Sequence, residues 1–111
     1  MDQLSDYTSL RVGGPAQEIV NASNEAEIIS AVQAADAAGK RVLILGSGTN
    51  VLVSDAGFDG VVIHVSSTKV ESEVDACSGA TLTIGAGEVW DKFVVTTIAR
   101  GYAGLETLSG I

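Results

Sequence analysis

The sequence predicts an α+β fold whose N-terminal part is α/β-like, on three observations. The segment RVLIL (41–45) is almost unbroken in its hydrophobicity, as expected of a strand buried on both faces of a parallel sheet. Helical periodicity over residues 24–39 precedes it, and the short apolar segment QEIVNA (17–22) comes before that, which gives strand, helix, strand. After residue 66 the polarity alternates, in KVESEV (69–74) and ATLTIGA (80–86), the pattern of an antiparallel hairpin with one wet face. These patterns divide the chain into a β-α-β lobe at 1–66 and the start of a second lobe at 67–111.

Each element has a local cause. RVGGPA (11–16) reads as a Gly-rich turn into the first strand, with Pro15 fixing the backbone. Asn24 starts the helix, and Glu27 sits where a capping partner belongs. Ile28, Ile29, Val32, Ala35 and Ala38 are expected on its inner face, with Gly39 as its stop. RVLIL follows, and a right-handed crossover places the loop after it at the carboxyl end of the sheet. VLV (51–53) reads as a further strand, SDAGFDG as a turn and VVIHV (61–65) as another strand. DACSG turns the hairpin. A second helix is expected from Glu88 to Arg100, with Val89, Phe93, Val94, Thr97 and Ile98 at helical spacing and Gly101 as its stop. Trp90, in GAGEVW, reads as core packing. The tail YAGLETLSGI has no periodicity and ends on Ile111 within a Gly-rich stretch, so the chain reads as a piece of something longer.

Composition sets the outer limits. A chain of 111 residues with 46% hydrophobic and 18% charged residues makes at most one small globular domain. Its net charge of −8 argues against nucleic acid and against an acidic membrane surface, both of which need basic residues. The apolar runs are too short to span a bilayer, and no signal peptide precedes them. A single cysteine, Cys77, leaves no disulfide framework and fits a reducing, cytoplasmic compartment. His64, within VVIHV, reads as structural. No metal-ligating pattern is present.

The loop GSGTN (46–50) is the candidate site. A Gly-x-Gly after a strand lets backbone N–H groups approach a ligand, and a phosphate is the natural guest. Thr49 and Asn50 add a hydroxyl and an amide to such a cradle. The pattern is not the usual dinucleotide fingerprint, because position 51 is Val51 where the third glycine would stand, and no Gly-Lys-Ser/Thr follows. Taken alone the loop is a weak signal, and a tight turn between strands is the plainer reading.

The combination is more specific. YTSLRVGGPA, LGSGTNVLVSDAGFDGVVI, GAGEVWDKFV and GLETLSGI, in this order and spacing, closely resemble the N-terminal FAD-binding region of the bacterial UDP-N-acetylenolpyruvoylglucosamine reductase family. The family's GxGSN falls on Gly46, Ser47, Gly48, Thr49 and Asn50, with Thr49 in place of the usual serine. The family's later Gly-Ile pair falls on Gly110 and Ile111, after Ser109. The resemblance implies a vanillyl-alcohol-oxidase/PCMH-type FAD-binding domain with all eight of these residues at the cofactor. It also implies a peptidoglycan-precursor enzyme in which NADPH reduces FAD, and the flavin reduces UDP-N-acetylglucosamine enolpyruvate to UDP-N-acetylmuramate. The family's catalytic serine, arginine and glutamate would lie beyond residue 111, so no catalytic residue is expected in this chain, which should be inactive and hold FAD weakly or not at all. Apolar surface left bare on the hairpin and second helix implies either a homodimer or a mobile tail. The competing readings are another FAD-linked oxidase or dehydrogenase of the same fold, and a stand-alone nucleotide-binding module.

Overall fold

The computed structural model describes all residues, Met1–Ile111. The chain divides into two compact units, Met1–Ser67 and Thr68–Ile111.

The first unit is built on a three-stranded parallel sheet. Its strands are β1 (Ala16–Ala22), β2 (Val42–Leu45) and β3 (Phe58–Val65), in the order β1-β3-β2. The central strand is therefore the one carrying VVIHV, with Val61, Val62, Ile63 and Val65 all buried. RVLIL, expected to be covered on both faces, is instead the edge strand β2, and its Ile44 is 53% exposed. The hydrophobic run marked a strand correctly and its position in the sheet incorrectly, because the crossover from β1 leaves a gap that β3 fills. VLV is not a strand either. It runs through an irregular segment in which Val51 and Val53 pack inward and Leu52 is exposed, with no ladder partner.

Alternation along β3 separates two apolar layers. Val61, Ile63 and Val65 join Ala22 and Ala35 beneath helix α1 (Glu25–Ala37), while Val62 joins Leu4, Ala16 and Leu45 beneath a short N-terminal 3-10 helix, Leu4–Tyr7. The inner face of α1 is formed by Ile28, Ala31, Val32 and Ala35. Ile29 is turned out and 48% exposed, and Ala38 is the exposed C-cap; both were expected inside. A turn of 100° per residue explains Ile29, which cannot share the stripe of Ile28 and Val32 fully. The predicted cap forms: Asn24 Oδ1 accepts from the Glu27 N–H at 3.0 Å. Glu27 Oε2 in turn accepts from Ser23 N at 2.6 Å and Ser23 Oγ at 3.0 Å. The Ser23 donors hold the Glu27 carboxyl below its ordinary range.

RVGGPA does more than turn the chain. Leu4 N and Ser5 N donate to Gly14 O and Gly13 O, while Gly14 N donates to Ser54 O and Phe58 N to Pro15 O. The N-terminal residues are thus fastened to the segment between β2 and β3. At Gly57, with φ +77°, a Cβ atom would overlap the Pro15 carbonyl oxygen.

The second unit begins with the hairpin of β4 (Val70–Asp75) and β5 (Gly79–Ile84), paired antiparallel from Val70↔Ile84 to Asp75↔Gly79. Asp75 Oδ1 closes the turn by accepting from Cys77 N at 2.7 Å and Ser78 N at 3.0 Å, and these bonds lower its pKa. Helix α2 (Trp90–Ala99) starts two residues later and ends one earlier than expected. It buries Phe93, Val94 and Thr97, whereas Val89 and Ile98 are more than half exposed. Trp90 is half-buried, tilted against Phe93 at 5.6 Å.

The tail is structured. A 3-10 turn at Glu106–Leu108 brings the Leu108 carbonyl to Trp90 Nε1 at 3.0 Å. Asp91 Oδ1 accepts from Ser109 Oγ at 2.6 Å and Gly110 N at 2.8 Å. Sequence reasoning weighed apolar anchors, whereas the tail is held by hydrogen bonds at the first turn of α2.

Gly57→Ala should cost about 3 kcal/mol or more, since both backbone angle and space oppose it. Gly39→Ala, where φ is +64° but nothing lies within 4 Å, should cost about 1–2 kcal/mol. Urea denaturation followed by circular dichroism compares them, and equal costs would contradict the packing at Gly57.

Ser109 first and Gly110 second hold the Asp91 carboxyl below its usual value of 3.8. Because the folded value is the lower one, this contribution is present in full above the ordinary value and is lost as pH falls through the folded one. The fluorescence of Trp90, the single tryptophan, should report a release of the tail below pH 3.8 in the wild type and no such step in Asp91→Ala. An identical acid transition in both chains would show that Asp91 does not hold the tail.

Candidate functional site

The loop Gly46–Asn50 leaves the sheet at the carboxyl end of β2, directly after Leu45, whose partner on β3 is His64. Gly48 is buried and has φ +69°, while Ser47, Thr49 and Asn50 are exposed. Its carbonyl accepts from Ser9 N at 2.9 Å, which pins the loop to the N-terminal segment. The backbone N–H groups of residues 46–50 donate to no backbone acceptor. They form a set of uncommitted donors on a fixed frame, next to the exposed Thr49 hydroxyl and Asn50 amide.

Such a set favours an anion, because several N–H dipoles can converge on one group of oxygens without a neighbouring cation. The loop contains no lysine or arginine, and the chain carries −8 overall, so the attraction must be local. Bonds at contact distance can supply it while more distant charges are screened.

Glycine at position 48 has a packing reason that the sequence did not reveal. A Cβ atom there would overlap the carbonyl oxygen of Tyr7 and crowd Thr8. Gly48 is needed for backbone to lie on backbone.

The candidate residues fall into two groups. Gly46, Ser47, Gly48, Thr49 and Asn50 are contiguous in the first unit, and Ser109, Gly110 and Ile111 lie in the second. Ser109 and Gly110 are engaged with Asp91, and Ile111 is 77% exposed. The second unit thus places two of its three candidates in an internal hydrogen-bonded turn.

One cluster was missed by sequence reasoning. Half-buried His64 has Nδ1 at 2.9 Å from Asn21 Oδ1, and the Tyr7 ring meets the imidazole edge-on at 5.2 Å. Asn21 and His64 are register partners across β1 and β3. No signal in the sequence reveals this pair before the strand order is known. No group of three His, Cys, Asp or Glu side chains is placed to hold a metal ion, and no helix is long and apolar enough to cross a membrane.

Comparison with known proteins agrees with this frame. Among curated relatives, the UDP-N-acetylenolpyruvoylglucosamine reductase of Cutibacterium acnes is 46% identical over 108 residues, covering 97% of this chain and 29% of the relative. The enzyme of the same name from Saccharopolyspora erythraea is 44% identical over 108 residues, covering 97% and 30%. The chain therefore spans about three tenths of the length of these relatives. The crystal structure of UDP-N-acetylenolpyruvylglucosamine reductase (MurB) from Thermus caldophilus superposes with a TM-score of 0.71 at 31% identity, over 99% of this chain and 36% of that one. The family model described as FAD binding domain matches residues 16–111, from the first strand through the docked tail. With both the donor-rich loop and nearly the whole chain inside that match, the chain belongs to the FAD binding domain family.

Proposed function

We propose that this chain is the N-terminal part of the FAD site of a UDP-N-acetylenolpyruvoylglucosamine reductase, and that Gly46–Asn50 cradle the cofactor's pyrophosphate. The observation carrying the proposal is the run of uncommitted amides at the carboxyl end of a parallel sheet, where ligands of open α/β sheets bind. The relatives add the name of the reaction.

FAD suits this donor set: a dianionic pyrophosphate offers acceptors to several N–H groups, and the buried, Cβ-free Gly48 keeps the loop rigid beneath it. When bound, the flavin would carry electrons from NADPH to the enolpyruvyl group of UDP-N-acetylglucosamine enolpyruvate. The role of this chain's own residues is to bind and orient. Gly46, Ser47 and Gly48 supply backbone donors, while Thr49 and Asn50 supply side-chain hydrogen bonds. Ser109, Gly110 and Ile111 are proposed, on sequence grounds, as further contacts of the same cofactor. No residue here is assigned to proton or hydride transfer, so the 111-residue chain is read as catalytically inactive.

A cytoplasmic setting follows from NADPH and a nucleotide-sugar substrate, and the exposed thiol of Cys77 suits that reducing compartment. Val74, Val89, Val95 and Ile98, each more than half exposed in the second unit, are read as surface available for pairing of two copies.

FAD titrated into the chain up to millimolar concentration should quench flavin fluorescence weakly and reversibly, because each 1.4 kcal/mol of missing contact costs about tenfold in affinity. Thr49→Ala and Asn50→Ala should each weaken binding about tenfold or more, as expected for hydrogen bonds to a charged group. Both side chains are exposed, so stability should change by less than about 0.5 kcal/mol. Flavin that survives dialysis at one equivalent would contradict the partial-site reading. Wild-type affinity in both variants would remove the loop from the site.

A further inference from the structure

The pyrophosphate cradle read above contains no cation, yet the same end of the sheet holds the chain's single histidine. Asn21, His64 and Leu45 stand abreast on β1, β3 and β2. His64 shares a face with Val62, two residues before it, the face covered by the N-terminal 3-10 helix. Leu45 is the last residue before Gly46. Tyr7 joins the two features: its ring meets the His64 ring, and its carbonyl oxygen occupies the space beside Gly48.

The ring is held with one nitrogen committed. Nδ1 is engaged by Asn21 Oδ1, an acceptor, so Nδ1 carries the proton. Nε2 makes no intramolecular hydrogen bond, and no buried side-chain nitrogen or oxygen lacks a partner, so Nε2 reaches solvent. With Nδ1 already donating, a second proton on Nε2 gives an imidazolium with a donor directed away from Asn21. The groups placed against the ring are Tyr7 from the 3-10 helix, Asn21 from β1 and Leu45 beside it on β2. No Asp, Glu, Lys or Arg is among them, so none of them opposes a cation there or substitutes for one.

We propose that His64, oriented by Asn21, is a further contact of the flavin pyrophosphate and supplies the positive charge that the Gly46–Asn50 loop lacks. The proposal rests on the FAD reading and adds to it a side chain that the loop motif does not contain. Asn21 acts as a positioning residue, since it touches the imidazole and fixes which nitrogen faces outward.

The test uses the wild-type chain with FAD, whose pyrophosphate does not titrate near neutral pH, and with riboflavin, which has no phosphate. In His64→Gln, affinity for FAD should fall roughly five- to tenfold, as expected for the loss of a charge-assisted contact, and affinity for riboflavin should not. Nuclear magnetic resonance supplies a readout that needs no variant: the ring C–H signals of the single histidine should shift with FAD and stay still with riboflavin. If FAD moves the amide signals of residues 46–50 but the ring signals stay still and His64→Gln binds FAD as the wild type does, His64 is structural and the proposal is overturned, while the loop assignment stands. If no loop amide moves, the FAD reading falls and His64 falls with it.

Discussion

The first unit depends on backbone lying directly on backbone between the N-terminal segment and the chain joining β2 to β3. A carbonyl oxygen fills the space of a missing Cβ at Gly48, from Tyr7, and at Gly57, from Pro15. These approaches are too close for any side chain, and hydrogen bonds from Ser9 to Gly48, Gly14 to Ser54 and Phe58 to Pro15 run along the same seam. The seam closes one apolar layer of the sheet: Leu4, in the N-terminal 3-10 helix, is fully buried against Ala16, Leu45 and Val62. The other layer is closed by α1 and is conventional.

That seam also frames the proposed cradle. A surface loop of polar residues would ordinarily satisfy its amides with water and move. Here the carbonyl side of the loop is tied down at Gly48 while the amide side is left uncommitted, so the donors are held without being used. Donors fixed in advance need little ordering when an anion arrives. In this way the packing requirement and the proposed binding role meet in one glycine.

Much of this was legible in the sequence, for identifiable reasons. Asn24 and Glu27 act through neighbours in the chain, and their cap forms as expected. The hairpin of β4 and β5 follows from alternation, and the loop Gly46–Asn50 lies where a strand-glycine pattern puts it. What failed depends on contacts distant in sequence. RVLIL looks central because it is apolar, yet β3 takes the middle and leaves Ile44 half in water. VLV has the composition of a strand, but Val51 and Val53 pack into an apolar layer without a ladder partner, and the residue after them, Ser54, accepts from Gly14 across the seam. At Gly48 the sequence pointed to the approach of a ligand, and the close approach of the Tyr7 carbonyl depends on a residue 41 positions away. The tail looked unanchored because the indole of Trp90 and the carboxylate of Asp91 hold it by polar contacts that no hydrophobic period signals. Asn21 and His64 stand 43 positions apart, and only the strand order makes them neighbours.

The most direct measurement is a crystal structure of this chain grown with FAD. The expected density places the pyrophosphate at the carboxyl end of β2, with phosphate oxygens within hydrogen-bond distance of the N–H groups of residues 46–50, and with Gly48 still seated on the Tyr7 carbonyl. Density for the pyrophosphate elsewhere on the chain, with the Gly46–Asn50 amides facing only solvent, would contradict the central claim that this fixed loop is the cofactor's anion cradle.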